Sequence, residues 1–295
     1  MKEEEMPELE GIETLPQKAQ KKLNIIAVTD FTAYGDAAVR YAGILAAIFN
    51  ASLTVITNLK WRGYKYQAQQ TSLTDNFKQT LDSITSNSIE VFVEAKSFTK
   101  RELYQLAEES NTIMFVIGVA KKDRQVLFTL NSALSFIRPS RIPVMTVGNK
   151  MPESNVFQNV MLPLDIYRQS KEKSLWAGYF SRYYYAKVHI LFGSYKDYFL
   201  KVKLKNNVDF TEKLYKNLEV TYRTHHIAER IDNMDVYSLQ YAEKVHATLT
   251  VIMMTKYRSL FDVLFGVKEC SVIANKQDIP VLCINERDDL YVLCT

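Results

Sequence analysis

The chain has 295 residues, of which 47% are hydrophobic and 24% charged, with a formal net charge of +4. That length accommodates two units of ordinary domain size, each able to bury its own core, and the composition is that of a globular protein in water. No apolar run approaches the roughly 20 residues that a spanning helix needs, so membrane insertion is not expected.

Charge is unevenly placed. Residues 1–13 carry six glutamates against Lys2, a local −5 that leaves +9 for the remainder. A mildly basic body of this kind suits an acidic protein partner but lacks the concentrated Lys/Arg face of a nucleic-acid binder, so no nucleic acid is expected. The start Met1-Lys2-Glu3-Glu4-Glu5 has neither the positive charge nor the apolar stretch of a secretory signal, which makes the cytoplasm the expected location. Cys270, Cys283 and Cys294 show no paired metal spacing and read as thiols of a reduced compartment.

In chain order, residues 1–22 read as an acidic tail. Short apolar runs then alternate with amphipathic stretches, the pattern of βαβ units around a parallel sheet buried on both faces. Strands are expected near 24–29, 53–58, 88–94, 113–118 and 143–148. The helix after the first places Ala38, Tyr41, Ala42, Leu45, Ile48 and Phe49 on one face. A polar, turn-rich linker over 149–155 follows.

The remainder repeats the first part at an offset of 135 residues. Tyr41-Ala42-Gly43 answers to Trp176-Ala177-Gly178, Asn24 to Asn159, Asp30 to Asp165, and Leu106-Ala107-Glu108 to Tyr241-Ala242-Glu243. One offset shared by separate segments marks a duplication. Strands of the second copy are expected near 159–165, 187–193, 217–223, 248–254 and 280–285. Pro163 cannot donate to a ladder and marks a break near the end of its strand. The domains thus run over 23–148 and 156–286, with an apolar tail over 287–295. Within that tail, Leu290-Tyr291-Val292-Leu293-Cys294 is expected to dock on this chain or on a second copy.

The strand end Val28-Thr29-Asp30-Phe31-Thr32, the Tyr41-Ala42 helix and Arg141-Ile142-Pro143-Val144 resemble the universal stress protein family. Leu164-Asp165, Trp176-Ala177 and Asp278-Ile279-Pro280-Val281 repeat that frame, so the resemblance covers residues 23–285. It implies two tandem five-stranded parallel-sheet domains, Rossmann-like and adenine nucleotide alpha hydrolase-like, paired as a pseudo-dimer through their last strands. It also implies a stress-linked regulatory role without catalysis. The alternative is a protein-interaction scaffold with both nucleotide pockets defunct.

Nucleotide-binding members of that family carry Gly, two residues, Gly, nine residues, Gly and then Ser or Thr after the fourth strand. Such glycines let backbone N–H groups approach phosphates. The frame falls here on Gly118, Lys121, Asn131 and Ser132, which keeps one glycine and the hydroxyl; Asn131 stands where a left-handed backbone is wanted. With Thr29 and Asp30 these residues make one weakened site for ATP or AMP in the first copy. Asp30 is open to two readings, a ribose ligand or a cap on the following turn. In the second copy the frame falls on Met253, Lys256, Gly266 and Val267, and no nucleotide is expected there; Asp165 reads as a cap.

All four histidines, His189, His225, His226 and His246, lie in the second copy. His225-His226 reads as part of a solvated loop, and because neighbours on an extended chain point apart, no metal site is expected. Neither a nucleophile elbow nor a phosphate loop ending Gly-Lys-Ser/Thr is present, so no catalytic residues are assigned. The stretch from Tyr195 to Lys205 interleaves aromatics with lysines and reads as a helix with solvated lysines and packed aromatics.

Overall fold

The computed structural model describes residues 22–57, 59–60, 75–85, 88–121, 126–167, 170–254 and 268–286. The expected docking of Leu290–Cys294 falls outside them, as do Lys256, Gly266, Val267 and Cys294.

The first half supplies β1 (Asn24–Val28), α1 (Ala33–Phe49), β2 (Ser52–Ile56), β3 (Leu59–Lys60), α2 (Asp75–Thr85), β4 (Val91–Glu94), β5 (Phe98–Thr99), α3 (Lys100–Glu109), β6 (Thr112–Gly118), α4 (Leu130–Ile137) and β7 (Val144–Val147). The second supplies β8 (Asn159–Pro163), α5 (Ser170–Tyr184), β9 (Lys187–Phe192), α6 (Tyr198–Asn217), β10 (Tyr222–His226), α7 (Met234–Lys244), β11 (Leu249–Met253), α8 (Lys268–Ile273) and β12 (Val281–Ile284). Ten strands form one sheet in the order β10-β9-β8-β11-β12-β7-β6-β1-β2-β4, while β3 and β5 pair separately. Each half is a five-stranded parallel sheet, and the two join through the antiparallel pair β12–β7. The expected pseudo-dimer of tandem domains is therefore the architecture.

Every residue of β1 and β2 is buried because helices cover both faces. Ile25 and Ala27 face the core beneath α1, α2, α5 and α6; Ile26 and Val28 face the core beneath α3, α4, α7 and α8. Alternation along one strand thus feeds two hydrophobic layers. Among the described residues no helix is long and apolar enough to cross a membrane.

One expected strand is displaced. The apolar run near 217–223 is not the third strand of the second half: α6 runs to Asn217 and β10 begins at Tyr222. Leu204, Asn207, Val208, Thr211 and Tyr215 form a buried stripe at helical spacing, and burying that stripe outweighs the strand propensity of the residues after it. The chain then reverses through Glu219, at φ 55°, before β10.

The duplication is visible in backbone conformation as well. Asn50 and Tyr185, which end α1 and α5, both sit in the left-handed region at φ 49° and 57°, as do Asn111 and His246 at φ 54° and 50°. Asparagine tolerates this geometry, whereas tyrosine adopts it at a cost. Tyr185 is 92% exposed, so its ring recovers little by packing. Replacing it with the residue of the first half, Tyr185→Asn, is expected to stabilise the protein by about 0.5–1 kcal/mol, read as a higher urea midpoint with an unchanged slope.

Candidate functional site

In a doubly wound sheet, ligands bind beyond the carboxyl ends of the strands where strand order reverses. Here those places lie between β1 and β6 in the first half and between β8 and β11 in the second.

At the first, the chain leaves β1 through Thr29 and Asp30. The hydroxyl of Thr29 accepts from the Phe31 N–H at 3.1 Å. Asp30 is 4% exposed, and its Oδ1 accepts from the Thr32 N–H at 3.1 Å and the Thr32 hydroxyl at 2.6 Å. Its Oδ2 accepts from the Leu127 N–H at 2.6 Å, across 97 residues of sequence. Ser132 holds the other side of that residue, donating to the Leu127 carbonyl at 3.2 Å and to the Thr129 carbonyl at 3.0 Å. Val126, Leu127 and Phe128 are buried, with the ring of Phe128 centred 5.4 Å from that of Phe136. Asp30 and Ser132 therefore converge on the loop after β6, with Asp30 serving as a turn cap and loop clamp, while Thr29 holds the turn that follows β1.

The remaining members of the expected frame differ from their assigned roles. A Cβ at Gly118 would lie 2.1 Å from the Tyr34 carbonyl oxygen, so that glycine admits the first turn of α1 against the end of β6. Asn131 is the second residue of α4 and exposed, and it is not among the left-handed residues. A helical backbone there has no need of the tolerance that asparagine was expected to supply. Lys121 is exposed.

The second switch point is built differently. β1 pairs with β6 along its whole length as far as Val28↔Ile117, whereas β8 pairs with β11 only at Val160↔Leu249 and Met161↔Thr250. Pro163 occupies the repeat position of Val28 and has no N–H with which to continue that ladder. Its other neighbour stays paired, with Pro163↔Leu191 in β9. Beyond the break lies a cavity of about 360 Å³. Its wall comes from Asp165, Ile166 and Tyr167 after β8, Tyr195 after β9, the 230–235 segment leading into α7, and Ile252 and Met253 of β11.

Three charged side chains meet at this cavity. Asp165 Oδ1 accepts from the Tyr167 N–H at 3.0 Å and from the Ser170 hydroxyl. Lys173 of α5 sits behind it with its side chain 1% exposed, its Nζ 3.9 Å from Asp165 Oδ2 and 3.6 Å from Asp235 Oδ1. The repeat position in α1 is Ala38, equally buried. Asn207 of α6 fastens the same turn, donating to the carbonyls of Asp165 and Tyr167 at 2.8 Å each. Burial and the nearby Asp165 carboxylate raise the Tyr195 hydroxyl above its ordinary range. Neither the cavity nor Lys173 was anticipated. The signals were the differences between the copies, proline against Val28 and lysine against Ala38.

The histidines also depart from expectation. His225 and His226 lie in β10, not in a solvated loop, and point apart as neighbours on a strand must. His226 reaches Ser194 at 2.8 Å, while His225 stacks on His189 with ring centres 5.2 Å apart. A chain of hydrogen bonds results. The Tyr241 hydroxyl meets His225 Nδ1 at 3.1 Å, His225 Nε2 meets His189 Nδ1 at 3.0 Å, and His189 Nε2 meets Asn159 Oδ1 at 3.2 Å. The amide oxygen accepts only, so His189 Nε2 carries a proton; its Nδ1 accepts from His225 Nε2–H, and His225 Nδ1 accepts from Tyr241. The order requires both rings to be neutral. Burial, followed by the charges of its neighbours, lowers His189 to about 4 and depresses His225 as well.

The aromatics at the start of α6 are not packed as expected: Tyr198 and Phe199 are each 73% exposed, because the buried stripe of that helix begins only at Leu204. Cys283 is buried, its Sγ 4.0 Å from the Val281 carbonyl oxygen. Among the described residues no cluster of three metal-ligating side chains occurs.

No family model matches the sequence, and no curated protein does. Solved structures do. A universal stress protein from Archaeoglobus fulgidus aligns with 89% of this chain and 98% of its own at a TM-score of 0.67 and 14% identity. A putative universal stress protein from Pseudomonas aeruginosa aligns over 92% of this chain and 95% of its own, with TM-score 0.55 and 14% identity. A functionally unknown protein from the same species aligns over the same shares, with TM-score 0.56 and 12% identity.

The histidine chain sets a pH dependence. A histidine whose folded pKa lies below its unfolded value binds its proton first in the unfolded state, so the folded state loses stability as pH falls. For His189 the loss begins near the ordinary 6.5 and is complete near 4. The urea midpoint is expected to drop between pH 7 and pH 4.5, and His189→Thr, which restores the residue found at Thr54 in the first half, is expected to flatten that drop.

Proposed function

We propose that this chain, which has the fold of a tandem universal stress protein, is a cytoplasmic, non-catalytic regulatory protein whose first half holds a weakened adenine-nucleotide site. The observation that carries the reading is the carboxylate of Asp30. It stands where strand order reverses between β1 and β6, the place at which this class of sheet receives ligands. It is also engaged by the Leu127 N–H at 2.6 Å. A ribose hydroxyl that reached Asp30 would displace that N–H and lift the loop that Ser132 holds. The binding free energy is reduced by the cost of that opening, which makes the site weak and makes loop position the property that a nucleotide controls. Gly118, Lys121 and Asn131 lie in or beside the same loop in sequence and, with Thr29 at the end of β1, complete the proposed site, with Lys121 the residue of suitable charge for a phosphate.

A second reading, a scaffold that binds no nucleotide, is favoured by the burial of Leu127 and Phe128 in the loop itself. In either reading the two halves are already paired within one chain, and regulation runs through a protein partner, a second copy of the chain included. The +9 balance beyond residue 13 favours an acidic face on that partner.

Calorimetry of ATP and AMP against the full chain tests this. One nucleotide per chain is expected, with a dissociation constant weaker than about 10 μM, abolished in Asp30→Asn and accompanied by no phosphate release. Absence of binding at millimolar nucleotide would support the scaffold, and turnover with ATP would overturn the non-catalytic role.

A further inference from the structure

We propose that an aromatic groove at the seam between the halves is the docking site of this chain's own residues 287–295, which strap across it as the segment after β7 straps across the repeat-related place. The groove has a volume of about 380 Å³. Ile113 of β6 and Arg141, Ile142 and Pro143 before β7 line one side, and Trp176, Tyr179 and Tyr183 of α5 line the other. These three aromatics are spaced three and four residues apart and so share one helix face. Tyr179 and Tyr183 are 39% and 53% exposed, while Ala177 and Phe180 on the opposite face of α5 are fully buried. A helix that is apolar on both faces belongs between two partners.

The duplication identifies the second partner. Trp176 answers to Tyr41, Thr112-Ile113 to Ala247-Thr248, and Arg141-Ile142-Pro143 to Asp278-Ile279-Pro280, the last at an offset of 137 residues. Tyr41, Ala247, Thr248 and the stretch from Asp278 to Pro280 line a cavity of their own, and there Lys150, Met151 and Val156 of the segment after β7 complete the wall and leave about 140 Å³. That segment is anchored by Val156 and Phe157, both buried, with the Phe157 ring centred 5.9 Å from Tyr41 and 5.3 Å from Phe180. Carried over by 137 residues, the stretch 150–157 becomes 287–294, Val156 becomes Leu293, and the ring that faces the anchor becomes Trp176. The run Leu290-Tyr291-Val292-Leu293 has the apolar surface that the outer face of α5 calls for.

Chain path and charge agree with this. Cys283 stands opposite Val144 in the antiparallel seam, and Asn285 donates to the carbonyls of Ile137 and Ser140 at 2.7 and 2.8 Å, so the chain passes Glu286 beside Arg141. The residues that follow, 287–295, span up to about 30 Å when extended, which covers a groove beginning at that point. At the repeat-related place the wall carries the Asp278 carboxyl, which burial raises and the charge of Lys150 from the segment lowers. At the groove the wall carries the Arg141 guanidinium, and the segment brings Asp288 and Asp289. Both members of the pair are reversed in sign, which preserves their attraction.

The test uses the full chain and its native thiol Cys294, the counterpart of Phe157. A short bismaleimide is expected to join Cys294 to Trp176→Cys, and in a second variant to Tyr183→Cys, at least about tenfold faster than to Thr224→Cys on the exposed edge of β10. Peptide mapping identifies the link, and monomer mobility on a denaturing gel places it within one chain. In Trp61→Phe, where Trp176 is the remaining tryptophan, the pair Leu290→Asp and Leu293→Asp should move the emission to longer wavelength and lower the urea midpoint, because the apolar cover is lost. Equal rates at Thr224→Cys overturn the proposal, since an undocked segment of that length reaches both places. A link between two chains overturns it as well, by making a second copy the occupant. So does folded protein that links at neither groove position, or a Trp176 emission untouched by the two aspartates.

Discussion

The antiparallel pairing of β7 with β12 is the constraint on which the rest of the architecture depends. It turns two five-stranded sheets into one of ten by matching Val144, Met145 and Thr146 with Cys283, Leu282 and Val281. Each half would otherwise present a buried-type strand as an open edge, with its unpaired N–H and C=O groups exposed to association. The seam is reinforced where Asn285 crosses it, donating to the carbonyls of Ile137 and Ser140 at 2.7 and 2.8 Å. It is reinforced again where Gly148 lets Asp278 approach so closely that a Cβ would stand 1.9 Å from the carboxylate. Above it, Phe49 at the end of α1 packs on Phe180 and Tyr183 of α5, and Tyr41 on Phe157. Edge-to-face and tilted aromatic contacts of this kind are worth about 0.5–1.5 kcal/mol each beyond their buried area.

Most of this was legible in the sequence because duplication supplies its own control. Asn24 and Asn159 mark the starts of corresponding strands, and each is held by side chains from its neighbours: Ser52, Thr54 and Thr112 around Asn24, and His189 around Asn159. Strand positions followed from apolar runs buried on both faces. β10 was the exception, since it is an edge strand whose residues are all exposed or half-buried, and the apolar Leu218 and Val220 assigned to it lie in the turn between α6 and β10. Local pattern does not reveal which of two elements a shared apolar residue serves; packing decides it.

The glycine frame shows a different limit. A motif read as phosphate chemistry can be kept for sterics, and Gly118 is required by the Tyr34 backbone whatever binds nearby. Likewise, an aspartate at a strand end reads the same in sequence whether it awaits a ligand or holds a loop 97 residues away. The bond from Leu127 to Asp30 depends on tertiary geometry with no local signature. The histidines were obscured for the same reason: His189 and His225 are 36 residues apart, and only the parallel register Arg223↔His189 on adjacent strands brings their rings together.

Because the seam is antiparallel, the carboxyl ends of the two sets of strands point to opposite ends of the ten-stranded sheet. In a dimer of identical chains every substitution appears twice, related by the twofold axis, so neither end can change alone. Joining the copies in one polypeptide removes that obligation. Val28 and Pro163, or Ala38 and Lys173, stand at corresponding positions and differ, each confined to one end of the sheet. The molecule has kept the shape of a symmetric dimer and lost its equivalence, so its two ends are free to answer to different signals.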